Sequence, residues 1–286
     1  MRIRNGADFL EATIRSHIDA FDEIVAVYNQ CTDATPEILA RLASELGPRL
    51  RVIHYADRVY PPGSADHAKE PASSPHSLVN YYNFALARTR FAHATKLDDD
   101  HLAIEPGLTA LVDGVRRGTF GTEMSCFSGF NLARRENGSI GVLASDPFSG
   151  GGDIGVFPVS AATHFTHDRR FERFQRGGLK RAFRGIVYWH LKLLKSDMGF
   201  GNYELAGNRD SRYAKKLAAL EAERRVVDVE DVQALMSFAD RSLMVARNLG
   251  FPLPGKAALK ADRWSAAVQG RSDAEFQVPT SLKPSR

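Results

Sequence analysis

The chain has 286 residues, 43% hydrophobic and 25% charged, with 13 Pro and 23 Gly in no period, a balance that excludes disordered, fibrous and collagen-like proteins. A chain of this size buries about three-quarters of its unfolded surface, enough for one large α/β core or two small ones. With a formal net charge of only +4, two cysteines (Cys31 and Cys126), no run approaching a membrane span and no apolar leader, it reads as a cytoplasmic protein without a disulfide framework, a four-cysteine zinc site or a duplex-binding surface.

The first half alternates strand and helix. Leu10, Ile14, His17, Ile18 and Phe21 share one helical face behind Asp8, a plausible cap. Glu23–Tyr28 is short, apolar and β-branched, a buried strand. A polar turn over 29–35 follows, and Pro36 suits the first turn of a helix running to Leu46. Leu50–Tyr55 is a second strand. Residues 56–76, with Pro61, Pro62, Pro71 and Pro75, are longer than an ordinary connection and read as a linker, a lid or a binding loop. Ser77 caps a third helix with Leu78, Tyr81, Tyr82, Ala85 and Leu86 on one face, and Phe91–Leu97 forms a third strand. The alternation predicts an α/β fold, a mostly parallel sheet with helices on both faces.

The second half is less regular. Cys126–Ala133, Ile140–Leu143 and Asp153–Phe157 read as strands, Ser149–Gly152 as a break and Trp189–Lys195 as a helix. Val232, Leu235, Met236, Ala239, Leu243 and Ala246 follow helical spacing, which gives a C-terminal helical extension before a polar tail over 271–286.

The chemistry concentrates at Asp98-Asp99-Asp100, directly after the third strand, where an open α/β sheet places its ligand crevice. In extended chain Asp98 and Asp100 project to one side and could hold Mn²⁺ or Mg²⁺; the alternative is a solvated acidic turn. Crowded carboxylates repel, so replacing either is expected to leave stability unchanged or raised. For a general base the first choice is Asp153, behind the glycines 150–152, with Glu172 and Glu204 as rivals. Asp197 reads as a helix-terminus residue, and His164 and His167 as loop residues. Residues 168–184 carry seven Arg or Lys against Asp168 and Glu172. That stretch reads as a solvated basic helix face, a contact for a diphosphate or a lipid-linked ligand, or a peripheral contact with anionic membrane headgroups.

Three pieces in order carry a resemblance over residues 1–105. Arg4–Glu11 resembles the opening after the first strand of family 2-like glycosyltransferases. Glu23–Thr35 resembles that family's second strand and its acidic turn, departing from it at Tyr28-Asn29. Tyr82-Asn83 followed by Leu97–Asp100 resembles its third helix and Asp-x-Asp motif. The resemblance implies a GT-A (Rossmann-like) fold with a donor-binding half over 1–105 and an acceptor-binding half over 106–270. It implies transfer of a sugar from a nucleotide donor, a UDP-sugar, to a glycan or lipid-linked acceptor in bacterial surface polysaccharide or lipopolysaccharide assembly. It places Asn29 and Asp33 beside the base, Asp98 and Asp99 at the donor, and Asp98, Asp100 and a third ligand from the second half at a metal. His190 is the choice for that ligand and His101 its rival. Two other classes stay open: a nucleotidyltransferase, for which Arg2–Gly6 is not the Gly-rich loop needed, and a non-catalytic nucleotide- or glycan-binding module.

Overall fold

The computed structural model describes residues 1–151, 154–168, 171–204, 210, 212–222, 224–272, 276–279 and 282. Its first half is organised by β2 (Ile24–Tyr28), whose side chains alternate between two layers. Ile24 and Ala26 pack against Leu10 and Ile14 of α1 (Leu10–His17) and Leu39 and Leu42 of α2 (Thr35–Leu46). Val25 and Val27 face Leu78, Tyr81 and Tyr82 of α4 (Leu78–Ala87), so helices cover both faces. The expected cap is present: Ser77 Oγ accepts from the Val79 and Asn80 amides. β1 (Arg2–Ile3) and β3 (Leu50–His54) flank β2 in parallel, giving a sheet of order β1-β2-β3.

Parallel pairing does not extend through the molecule. The second sheet runs β13-β7-β6-β12-β5, with β8 and β9 also on β6 and β4 on β9. These are β4 (His93–Ala94), β5 (His101–Ala103), β6 (Met124–Arg134), β7 (Ile140–Leu143), β8 (Phe148–Ser149), β9 (Gly155–Pro158), β12 (Arg181–His190) and β13 (Val226–Val227). Among the described residues only β6 and β12 pair in parallel there. The strand expected over 91–97 shrinks to β4 and joins this second sheet antiparallel to β9. Its partner comes from more than 60 residues downstream, which no local pattern reveals.

Two further expectations change. Trp189–Lys195 is not a helix: it is the end of β12 followed by one 3₁₀ turn, Lys192–Leu194. Ile186, Val187, Tyr188, Trp189 and Leu191 are all buried, and an apolar run filled on both faces has no helix–strand signature. The basic stretch is likewise not a helix face. It forms the hairpin β10 (Thr163–Asp168) and β11 (Phe171–Arg176) and enters β12. Phe165 and Phe174 turn inward onto Tyr82 and Phe157, while Arg173 and Arg176 stay exposed.

Residues 56–76 pack as part of the body and include α3 (Ala65–Lys69), capped by Ser64. The second half adds α5 (Gly107–Arg116), α6 (Arg212–Ala222), α7 (Phe238–Asn248) and α8 (Gly255–Ser272). A 3₁₀ turn over Val229–Leu235 takes the first part of the expected C-terminal helix, and Ser237 caps α7. Among the described residues no helix is long and apolar enough to cross a membrane.

Candidate active site

Leu97 is buried in the core of the first sheet and His101 opens β5 of the second, so the three aspartates lie at the seam between the sheets. They turn to different partners. Asp98 pairs with Arg2 at 3.2 Å and Lys96 at 3.1 Å, and the Arg2 guanidinium lies 3.1 Å from the Tyr82 ring centroid. Burial works against ionisation of Asp98, but Lys96 and Arg2 outweigh it and hold the carboxyl well below its ordinary range. Glu172 joins this layer, hydrogen-bonded to Tyr82 and facing Arg2 and Lys96.

Asp99 and Asp100 share Lys195, whose Nζ lies 2.8 Å from Asp99 Oδ2 and 3.2 Å from Asp100 Oδ2. Burial pushes Asp99 up to about 6, against the pull of Lys195. At Asp100 burial acts in the same sense, yet Lys195 outweighs it and keeps the group ionised. The structure therefore does not bring Asp98 and Asp100 to one site, because Asp98 is taken up by Arg2 and Lys96.

It brings Asp100 to two imidazoles instead, and sheet register does this. β12 lies between β5 and β6, with His190 directly opposite His101 on one side and Asn131 on the other. Directly opposed residues project from the same face of a sheet. The Asn131 amide donates to the Asp146 carbonyl at 2.8 Å, which leaves its oxygen to accept from His190 Nδ1 at 2.6 Å. That bond puts the His190 proton on Nδ1 and leaves the Nε2 lone pair facing Asp100 Oδ1, 3.5 Å away. His101 is stacked on Tyr188, ring centroids 4.0 Å apart, and Tyr188 is held by Ser149 at 2.9 Å. Burial lowers the His101 pKa to about 3, so the ring is neutral.

One ligand atom from each of Asp100, His101 and His190 lies within 4.8 Å of the other two. Asp100 Oδ1 and His101 Nε2 are buried with no hydrogen-bond partner. Each such atom costs about 1–3 kcal/mol when left unsatisfied, and a cation among the three would satisfy them together. One carboxylate oxygen and two imidazole nitrogens are a donor set for a divalent transition metal, so these residues fit a metal.

Around the aspartates three loops are fastened to one another. Asp33 accepts from the Ala7 amide at 2.9 Å and the Thr35 amide at 3.1 Å. Gly6 donates to Thr35 Oγ1 at 2.8 Å, and a Cβ on Gly6 would lie 2.5 Å from Asp99 Oδ2. Asp8 accepts from the Ser196 amide at 3.0 Å, and Asn202 donates to the Arg4 carbonyl at 2.5 Å. Asn29 is buried and spent on its neighbours: its amide donates to the Tyr55 and Asp57 carbonyls, at 2.7 and 2.6 Å, and its oxygen accepts from Val59. In this arrangement Asn29 is a strut for the 55–59 segment.

Asp153 lies outside the described residues. The glycine before that stretch is anchored, since Ser128 and Arg263 both donate to the Gly150 carbonyl, at 2.7 and 2.9 Å. Glu204 is exposed, its backbone donating to Pro62, and Asp197 accepts from the Gly199 and Gly201 amides in a tight turn. His164 and His167 lie on β10. A cavity of about 300 Å³ is lined by Tyr82, Lys96, Leu97, Val115, Val156 and Phe157. Asp99, Asp100 and His190 do not line it, so it is separate from the carboxylate–imidazole cluster. Lys195 and Asn131 escaped the sequence reading. Asn131 did carry a signal, a polar residue between Phe130 and Leu132 inside an apolar strand. Lys195 carried none.

No family model matches this chain, and no curated protein matches it. Among solved structures it is similar to S. aureus TarS residues 1–349, at 9% identity over 96% of this chain and 90% of that one, with a TM-score of 0.40. The same protein in complex with UDP gives 10% identity, the same coverage of 96% and 90%, and a TM-score of 0.41.

Proposed function

We propose that the chain is a metal-dependent glycosyltransferase that moves a sugar from a nucleotide-diphosphate donor, a UDP-sugar, to a hydroxyl of a glycan or lipid-linked acceptor. One observation carries the reading. An acidic run at the seam of the two sheets ends in Asp100, and register sets His101 and His190 against it, with Asp100 Oδ1 and His101 Nε2 left without a hydrogen-bond partner. The sequence resemblance over 1–105 supplies the substrate class and the setting, assembly of a bacterial surface polysaccharide or lipopolysaccharide.

Asp100, His101 and His190 would hold the ion, and two imidazoles favour Mn²⁺ over Mg²⁺. When bound, such an ion supplies Lewis-acid neutralisation of a departing diphosphate. Asn131 fixes the His190 tautomer, and Lys195 contributes a buried positive charge beside Asp99 and Asp100. Arg2 and Lys96 hold Asp98 ionised toward the donor half, residues 1–105. Asp33 and Gly6 fasten the loop on which the nucleotide is proposed to lie, with Asn29 bracing the segment beside it. Residues 106–270 form the acceptor half, and Asp153 takes the proton of the attacking hydroxyl, with Glu172 as its rival.

The test is a panel of UDP-, GDP- and ADP-sugars with and without Mn²⁺, read by melting temperature and by nucleotide release. A ligand at 100 times its Kd stabilises the fold by about 2.7 kcal/mol. A Mn²⁺-dependent shift with a UDP-sugar and release of UDP are expected. Pyrophosphate release from a nucleoside triphosphate and a sugar phosphate would make the chain a nucleotidyltransferase. Binding without turnover for any acceptor would make it a binding module.

A further inference from the structure

α7 leaves an apolar ridge in water. Phe238, Val245 and Leu249 are 88%, 48% and 71% exposed, and Phe251, just past the helix, is 59% exposed. At 100° per residue, positions 7 and 11 apart fall within about 40° of each other, so Phe238 and Val245 stand in one row that Leu249, the C-cap, continues. On the opposite side Met244 packs into the core and Asp240 is buried. The row is therefore the outward face of a helix whose inner face is already used. Soluble surfaces seldom carry a contiguous row of exposed Phe, Leu and Val unless something covers it.

The charges around the row say what covers it. Residues 238–263 contain Arg241, Arg247, Lys256, Lys260 and Arg263 against only Asp240 and Asp262. Both acids are already paired, Asp240 with Lys260 and Asp262 with Arg247 at 2.8 Å, and these pairs clamp α7 to α8. Arg241, three residues along from Phe238, and Lys256, at the start of α8, are exposed and carry no ion pair among the described residues. Apolar side chains in a row with free cations beside them match an anionic lipid surface, in which the apolar groups enter the headgroup–acyl boundary and the cations meet phosphates.

A second copy of the chain fits less well. One helix and a turn fall short of the roughly 800 Å² per partner that a stable interface buries, and a two-fold contact would oppose like charges. The basic hairpin β10–β11 also fits less well, because Phe165 and Phe174 are turned into the protein and leave no large apolar side chain exposed among its described side chains.

We infer that the face formed by Phe238, Val245, Leu249 and Phe251, with Arg241 and Lys256, is a docking surface for an anionic membrane. The experiment is co-sedimentation of the full chain with phosphatidylcholine vesicles and with vesicles containing about one-third phosphatidylglycerol. Binding to the anionic vesicles, weakened by salt and at least about tenfold stronger than to neutral ones, is expected. The variant Phe238→Ser/Leu249→Ser/Phe251→Ser, changed only at exposed positions, should lose it while keeping the wild-type melting temperature. Arg241→Glu/Lys256→Glu should lose the preference for anionic lipid. The inference is overturned if wild type stays in the supernatant with anionic vesicles, or if the triple variant sediments as wild type does. It is equally overturned if Arg173→Glu/Arg176→Glu alone abolishes binding, or if sedimentation velocity without lipid shows a dimer that the triple variant dissolves.

Discussion

His190 and Asn131 stand directly opposite each other across the parallel pair β6–β12, and their side chains meet at 2.6 Å between Nδ1 and Oδ1. Asn131 offers no atom to the candidate metal set; it decides which nitrogen of His190 faces Asp100. Removing such an outer hydrogen bond typically lowers metal affinity by about 10- to 100-fold. Asn131→Leu should weaken Mn²⁺ binding by that factor, and Asn131→Asp, which keeps an acceptor oxygen, should largely restore it. Titration of free Mn²⁺ by electron paramagnetic resonance reads this directly. Equal affinity in wild type and Asn131→Leu would remove His190 from the metal set.

Asp98 and Asp100, two residues apart, should respond in opposite ways. Crowding alone predicts that losing either carboxylate is harmless. The structure corrects this for Asp98, whose removal strands Arg2 and Lys96 against Tyr82 in a partly buried layer. Asp98→Ala should cost about 2 kcal/mol of stability, between the values for exposed and buried pairs, and leave Mn²⁺ affinity nearly unchanged. Asp100→Asn should abolish Mn²⁺ binding while Asp99 still holds Lys195. Denaturation midpoints and Mn²⁺ titrations on the two variants separate the assignments, and loss of Mn²⁺ binding in Asp98→Ala would restore Asp98 as a ligand.

The readable part of the fold is the part whose partners are local. β2 announces itself by β-branched composition, and α4 by Ser77 and a one-sided apolar row, because a cap and a helical face are settled within a few residues. What escaped depends on distant chain. β4 is too short to have a period and is defined by its pairing with β9. His190 was legible as a candidate ligand, yet it was placed on a helix, because Ile186, Trp189 and Leu191 pack into one core cluster while Val187 and Tyr188 pack into another. The separation of Asp98 from Asp100 follows from Arg2 and Lys195, about 95 residues away on either side, and nothing within the acidic run encodes it.

His17 sets a pH dependence of stability. Burial lowers its pKa from 6.5 to about 4, while its ring nitrogen meets the Thr13 carbonyl at 2.9 Å. As pH falls below 6.5 the unfolded chain takes up this proton first, and the folded protein follows only near 4. Stability is therefore full above that window, falls through it by at most about 3 kcal/mol, and changes no further from this group below it. His101, lowered by burial to about 3, adds a loss in the same direction. Urea midpoints at a series of pH values should show the decline, and His17→Gln should flatten it. An identical slope in His17→Gln would mean that His17 is charged or accessible in the fold.

The base is settled by comparing Asp153 with Glu172. Glu172 faces Arg2 and Lys96 and bonds to Tyr82, so its contacts are those of a residue that braces the Asp98 layer. Glu172→Gln keeps the shape and most of that hydrogen bonding, and turnover should stay within a few-fold of wild type. Asp153 follows a glycine stretch whose first residue is held by Ser128 and Arg263, in the half of the chain proposed to take the acceptor. A positioned carboxylate that takes a hydroxyl proton contributes about 10²–10⁴-fold, so Asp153→Asn should lower kcat by at least about 10²-fold. Donor affinity should move little, because the change touches only the step in which the acceptor loses its proton. Steady-state kinetics on both variants, with melting temperatures to exclude unfolding, give the answer. A collapse of kcat in Glu172→Gln with Asp153→Asn unaffected would move the role to Glu172. If both variants turn over normally, neither carboxylate is the base.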